Sequence, residues 1–115
     1  MRVLIMAKEG EQGGASAPPT PEAMAAHQRF NEELVKAGVV VGDGRLYPSS
    51  QGKRLQFEGK KRRIIDGPWA ETKELVAGYW LWQVRSMDEA LEWLKRAPFD
   101  AGTYEIRQIF ETEGM

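Results

Sequence analysis

The densest group of chemically reactive side chains lies in residues 66–74, which read DGPWAETKE. Three carboxylates, one lysine and one indole fall within nine residues, a combination that neither a plain linker nor a plain strand requires. Glu71, Thr72 and Lys73 could present a carboxylate, a hydroxyl and an ammonium group to one small polar substrate. We therefore predict a binding site in this stretch.

The same stretch also has a purely structural interpretation. Asp66 before Gly67 and Pro68 favours an Asx-type turn, in which the carboxylate caps nearby amides while proline fixes the backbone. A lysine between two glutamates ordinarily forms solvated ion pairs, each contributing less than about 1 kcal/mol. The residue types alone leave both interpretations open.

His27 is the only histidine in the chain. Its imidazole is the only side chain here whose unperturbed pKa suits proton transfer near neutral pH. Apolar residues share its helical face, so the alternative is a core-facing histidine that hydrogen-bonds a backbone carbonyl and has no chemical role.

Patterning predicts the elements that must position these residues. Apolar runs, helical spacing and turn formers indicate strands at 2–7, 39–47, 78–85 and 103–110, and helices at 21–37 and 87–97. Thr20 caps the first helix and Ser86 begins a capping box at the second. Residues 53–66 form a predicted hairpin that carries six of the sixteen basic residues.

This order predicts an α+β fold with both helices on one face of a four-stranded sheet. The strand at 78–85 alternates Trp80, Trp82 and Val84 with Tyr79 and Leu81, so both of its faces are apolar. No element remains to cover the second face, and we therefore predict face-to-face homodimerisation with the tryptophans in the interface. Tyr79, Trp80 and Trp82 are more typical of an interface core than of a cofactor-binding site.

Composition narrows the class of protein. The chain has 115 residues, sixteen basic and seventeen acidic, and a net charge of −1, which predicts one domain over residues 1–115 and makes nucleic acid an improbable partner. Absence of cysteine excludes disulfides and thiolate sites, and no spacing is typical of a metal or nucleotide site. The apolar run at the amino terminus is too short for a signal peptide or membrane span, so we expect a cytoplasmic protein.

The signature stretch, with segments FNEELVKAG (30–38), LYPSS (46–50), GYW (78–80) and DEALEW (88–93), resembles the DGPF proteins, a branch of the YCII-related family. Trp69 replaces the usual phenylalanine. The resemblance extends over nearly the whole chain. It implies a ferredoxin-like βαββαβ fold with the hairpin as an insertion, and assembly into a dimeric α/β barrel.

The resemblance also implies a site. His27 is similar to the proposed catalytic histidine of YCII enzymes, which an aspartate just after the second strand orients. The matching segment here, LYPSS, has no carboxylate, so Asp66, Ser49 or Ser50 could take its place.

We therefore predict that His27 and Asp66 are catalytic and that a cleft binds a small organic metabolite. The remaining predicted substrate-binding residues come from the LYPSS turn and the signature stretch: Pro48, Ser49, Ser50, Gly67, Pro68, Trp69, Glu71, Thr72 and Lys73. The implied chemistry is cofactor-independent elimination or isomerisation, with Lys73 binding an oxygen. The alternative is a non-catalytic regulatory or ligand-sensing module associated with an extracytoplasmic-function sigma factor.

Overall fold

The architecture is organised by a four-stranded antiparallel sheet. The computed structural model describes residues 1–8, 20–68, 76–99 and 102–111. In chain order its elements are β1 (Arg2–Lys8), α1 (Pro21–Lys36), β2 (Val40–Arg45), a short 3-10 helix (Ser49–Gln51), β3 (Lys53–Glu58), β4 (Lys61–Asp66), β5 (Val76–Gln83), α2 (Met87–Lys95) and β6 (Tyr104–Gln108).

The sheet has the order β2-β5-β1-β6, and every neighbouring pair is antiparallel. With α1 and α2 between strands, the structure is an α+β arrangement compatible with the predicted ferredoxin-like fold. The hairpin β3–β4 forms a separate two-stranded sheet. Neither helix in the described residues is long and apolar enough to cross a membrane.

Both helices begin at the predicted caps. The Thr20 hydroxyl accepts a hydrogen bond from the Ala23 amide at 3.1 Å, and the Ser86 hydroxyl accepts one from the Glu89 amide at 3.1 Å. The Glu89 carboxylate accepts the Arg85 amide at 2.6 Å, one residue before the cap. This backbone hydrogen bond lowers the pKa of Glu89 below its ordinary value of 4.5.

One face of the sheet and both helices enclose the core. Val3 and Ile5 of β1 lie opposite Trp82 and Trp80 of β5, so all four side chains point to the same face. The fully or nearly fully buried residues of this core are Val3, Ile5, Phe30, Leu34, Val39, Trp82, Val84 and Ala90. The predicted apolar stripe of α1 is thus buried at Phe30 and Leu34, whereas His27 and Ala37 are exposed.

The prediction that both tryptophans lie in a dimer interface is wrong. Trp82 is completely buried beneath the helices, and Trp80 packs on the same core. Alternation along β5 instead places Tyr79 and Leu81 on the other face, opposite Met6 and Leu4 of β1. Sequence patterning gave the alternation correctly but could not determine which side the helices cover.

Two positions differ from what the sequence pattern predicts. Helical spacing predicts an inward Leu91 in α2, but Leu91 is 43% exposed. Alternation predicts that Tyr104, Ile106 and Phe110 share one face of the last strand. Tyr104 and Ile106 pack against the core, whereas Phe110, which follows β6, is 90% exposed. The strand ends at Gln108, so Phe110 lies beyond the register that fixes the buried face.

Candidate functional site

A cleft opens between α1 and the helix-covered face of the sheet, at the end of the sheet where β1 and β2 finish and β5 and β6 begin. Its volume is ≈ 1170 Å³. This is slightly above the roughly 300–1000 Å³ that holds a small organic ligand. The lining residues with polar or charged side chains are Lys8, His27, Gln28, Asn31, Glu32, Lys36, Asp43, Arg45, Thr103 and Tyr104. Tyr79 also contributes to the lining, although alternation along β5 directs its side chain to the other face of the sheet.

His27 lines this cleft from the middle of α1. Its ring meets Phe99 edge to face, with the ring centroids 5.0 Å apart and the planes at 88°. The ring is exposed and forms no hydrogen bond with the described residues. The alternative of a core-facing histidine bonded to a backbone carbonyl is therefore not what the structure shows, and the imidazole nitrogens are available to a ligand.

An aromatic wall faces His27. Phe99 stacks on Tyr104 with centroids 4.7 Å apart and planes at 10°, and on Trp80 with centroids 6.0 Å apart and planes at 26°. Burial raises the pKa of Tyr104 above its ordinary value of 10.0, so the phenol stays protonated and can donate a hydrogen bond. Stacked rings of this kind suit a flat organic molecule.

Two charged residues of β2 line the cleft, Asp43 and Arg45. Asp43 lies opposite Trp80 and Arg45 opposite Gly78, which directs both side chains to the helix-covered face. Neither side chain forms an ion pair or hydrogen bond with the described residues. The cleft thus contains a solvent-exposed carboxylate and a solvent-exposed guanidinium that can contact a ligand.

Asn31 contributes an unusual polar atom. It lies one helical turn beyond His27, and its Oδ1 is buried without a hydrogen-bond partner among the described residues. An unpaired buried acceptor is unfavourable unless something else supplies the donor. A ligand hydroxyl or amine in the cleft would do so.

The structure brings together only some of the predicted site residues. Pro48 lines the same cleft as His27, but Ser49 and Ser50 do not. They form the start of the 3-10 helix instead.

Asp66 also lies outside the cleft. Its carboxylate accepts a hydrogen bond from Lys53 Nζ at 2.6 Å, across the base of the hairpin. The adjacent Gly67 amide donates to the Gly52 carbonyl at 3.0 Å, and a Cβ at Gly67 would overlap the Ser49 carbonyl. These contacts give the DGP sequence a structural role at the hairpin base, although the carboxylate pairs with a lysine rather than capping amides.

The other predicted substrate-binding residues are distributed as follows. Gly67 and Pro68 lie at the hairpin base and not in the cleft. Four residues fall outside the described part of the chain: Trp69, Glu71, Thr72 and Lys73.

Asp43 and Arg45 are the candidate residues that sequence reasoning missed. Gly42 and Gly44, which flank Asp43, predict a bulge or a close backbone approach in this strand, a feature of the backbone and not of the side chains. The register does shift between Val40 and Gly42, so the bulge itself is confirmed. The usable signal was the alternation Asp43, Gly44, Arg45, which puts both charged groups on one face of the strand.

These features define an α+β protein in which α1 borders a cleft that is lined by aromatic rings and contains His27. The YCII-related domain matches residues 1–113 of the chain. An uncharacterised protein of Rhizobium meliloti (strain 1021) is 36% identical over 89 residues, covering 75% of this chain and 69% of that protein. The chain belongs to the YCII-related family.

Proposed function

We propose that this protein binds a small planar organic anion in the α1 cleft and transfers a proton on it. The observation that carries this proposal is the exposed, unbonded His27 ring facing a wall of stacked aromatic rings. Arg45 is the anion-binding group. Lys8 is already paired with Glu105 at 2.9 Å, and Arg45 is favoured over Lys36 because a guanidinium can bind a carboxylate through two parallel hydrogen bonds. The phenol of Tyr104 and the amide of Asn31 fix the orientation of the ligand.

The reaction class that suits these groups is proton abstraction next to a carbonyl, followed by elimination or isomerisation. His27 takes the proton, and the electron pair of the broken C–H bond forms a carbon–carbon double bond. The carbonyl π electrons move onto the oxygen, which gives an enolate. In an elimination the enolate re-forms the carbonyl and expels the leaving group with the electron pair of its bond to carbon. In an isomerisation the protonated His27 returns the proton to a different carbon.

Arg45 stabilises the oxygen that gains negative charge. Asp43, in the same cleft, replaces Asp66 as the carboxylate whose negative charge stabilises the imidazolium of His27.

The assembly is a homodimer formed by the uncovered face of the sheet. Its apolar side chains are Leu4, Met6, Tyr79 and Leu81, and three of these four are already partly buried. Two-fold pairing of such a face would form the dimeric α/β barrel. Assignment to the DGPF branch rests on the DGP sequence and stays a prediction.

The test combines a thermal-shift screen with one substitution. Organic acids with planar or cyclic skeletons are screened first, because a ligand that binds only the folded state raises the melting temperature. Turnover of each hit is then followed with wild-type protein and with His27→Asn. We expect turnover to fall by about 100-fold or more, with binding largely retained.

The matched control is Arg29→Asn, on the same helix but outside the cleft, and it should leave turnover unchanged. Undiminished turnover in His27→Asn rejects the catalytic role. Hits that bind without any turnover reject the enzyme and favour a ligand-sensing module, for which association with a sigma factor becomes the next question.

A further inference from the structure

The ring of Phe99 lies between two aromatic rings of the sheet. Tyr104 belongs to β6 and Trp80 to β5, the two strands that flank β1, and both side chains lie on the helix-covered face. Two strand spacings separate β5 from β6, which is about 10 Å. The Phe99 centroid lies 4.7 Å from that of Tyr104 and 6.0 Å from that of Trp80, so the ring fills the space between them.

Stacking occupies both faces of Phe99 and leaves its edge for His27. The Tyr104 ring is inclined to Phe99 by 10° and the Trp80 ring by 26°. The His27 ring is inclined by 88°, with centroids 5.0 Å apart. The edge of Phe99 therefore contacts the face of the imidazole, which is a favourable arrangement of aromatic rings.

The core of the domain holds Phe99 in place. Its neighbour Trp80 also packs on Trp82, with centroids 5.5 Å apart, and on Phe30, with centroids 6.0 Å apart. Trp82 and Phe30 are both buried. Close packing of this kind leaves a side chain little freedom to move. The position of Phe99 is thus set from the interior.

His27 has no hydrogen bond that would fix its ring. In catalytic sites a carboxylate or a backbone carbonyl usually orients the imidazole by accepting a hydrogen bond from one nitrogen. No described residue forms such a bond with His27, and the ring is exposed. Exposed side chains without a partner change rotamer within picoseconds to nanoseconds. Among the described residues, Phe99 makes the aromatic contact that restrains this ring.

We propose that Phe99 is a positioning residue, which holds the plane of the His27 imidazole in the orientation that proton transfer needs. An aromatic edge takes the place of a hydrogen-bonded carboxylate, so both imidazole nitrogens stay available to the substrate. Orientation then comes from Phe99 and negative charge from Asp43. The inference rests on the function proposed for the cleft, because it explains how the base in that function is aligned.

Nuclear magnetic resonance relaxation tests the positioning without any ligand. His27 is the only histidine, so ¹³C-histidine labelling reports on one ring. Wild type is compared with Phe99→Leu, with Phe99→Tyr and with the control Phe110→Leu, because Phe110 is 90% exposed and lies outside the cleft. We expect the order parameter of the ring C–H bonds to fall from about 0.8 to below about 0.6 in Phe99→Leu only.

Kinetics supply the second test, with the organic acid that wild type turns over fastest. Misalignment of the base raises the barrier but leaves ground-state binding nearly intact. Phe99→Leu should therefore lower kcat about 10-fold or more and change KM less than about twofold. Phe99→Tyr keeps the ring and should hold kcat within about twofold of wild type. Circular dichroism checks that each variant is folded.

Several results would overturn the proposal. One is a wild-type imidazole whose order parameter is already below about 0.6, a measurement that needs no variant to fold. Others are a ring that stays rigid in Phe99→Leu, and a loss of kcat that Phe110→Leu reproduces or that Phe99→Tyr shares. If no organic acid is turned over, the function proposed for the cleft fails, while relaxation still decides whether Phe99 positions His27.

Discussion

The cleft and the hairpin β3–β4 differ in the kind of side chain that lacks a partner, which is polar in the cleft and apolar on the hairpin. In the cleft the apolar side chains pack on one another, while His27, Asp43, Arg45 and the Asn31 oxygen have no partner among the described residues. On the hairpin at least four of the six basic side chains have interaction partners, namely Lys53, Arg54, Arg62 and Arg63, whereas the apolar side chains of Leu55, Phe57 and Ile64 are exposed. Unpaired polar groups in a concave site suit a small polar ligand, and bare apolar groups on a projecting hairpin suit a protein surface.

The largest effect that separates the two regions is expected from Arg45→Gln. Losing a charge-assisted hydrogen bond to an anionic ligand should weaken binding by about 10- to 100-fold. Isothermal titration with a hit from the thermal-shift screen measures this change. Sedimentation of the dimer should not change, because Arg45 lies in the cleft.

The matched control is Arg29→Gln, which also removes one positive charge but lies on α1 outside the cleft. Equal weakening in both variants would mean that the ligand responds to overall charge and not to a specific guanidinium in the cleft.

An intermediate effect, on stability, is expected from Gly67→Ala, which alters the base of the hairpin β3–β4. The added methyl would overlap the Ser49 carbonyl, and overpacking of this kind costs about 1–3 kcal/mol. Urea denaturation measures the loss, and faster hydrogen exchange in residues 53–66 would localise it.

Gly42→Ala is the control for this change, because nothing lies within 4 Å of a Cβ at that position. If both alanine variants lost the same stability, a general effect of glycine replacement would explain the result and the contact with Ser49 would not.

The smallest effect is expected from Asp66→Asn. The ion pair with Lys53 is exposed, with side-chain exposures of 69% for Lys53 and 72% for Asp66. Such pairs contribute less than about 1 kcal/mol, so the melting temperature should fall only slightly. Turnover should not change, since Asp66 lies outside the cleft. A large loss of turnover would restore the catalytic role that the sequence suggested for Asp66.

Much of the fold could be predicted because local signals and apolar periodicity agree. Thr20 and Ser86 cap the helices as expected, and residues 53–66 form the predicted hairpin. The strand β5 was harder to interpret. Period-two alternation shows that both of its faces are apolar but does not say which face the helices cover. Trp82 was assigned to the wrong face for this reason.

The site was less predictable than the fold. His27 and Pro48 do lie in one cleft, because α1 and the segment after β2 meet over the same end of the sheet. The cluster in residues 66–74 looked functional by residue type, yet Asp66 and Gly67 serve the hairpin base. Alternation places Asp43 on the same face of β2 as Arg45, but only the register of β2 against β5 brings that face to the cleft.

The central claim is that a ligand contacts His27, and nuclear magnetic resonance can test it directly. Since the chain has one histidine, ¹⁵N-histidine labelling gives the signals of a single imidazole ring. We predict that a hit from the thermal-shift screen shifts both ring nitrogens with the same dissociation constant as calorimetry. Ring signals that stay fixed while the ligand saturates the protein would contradict the account.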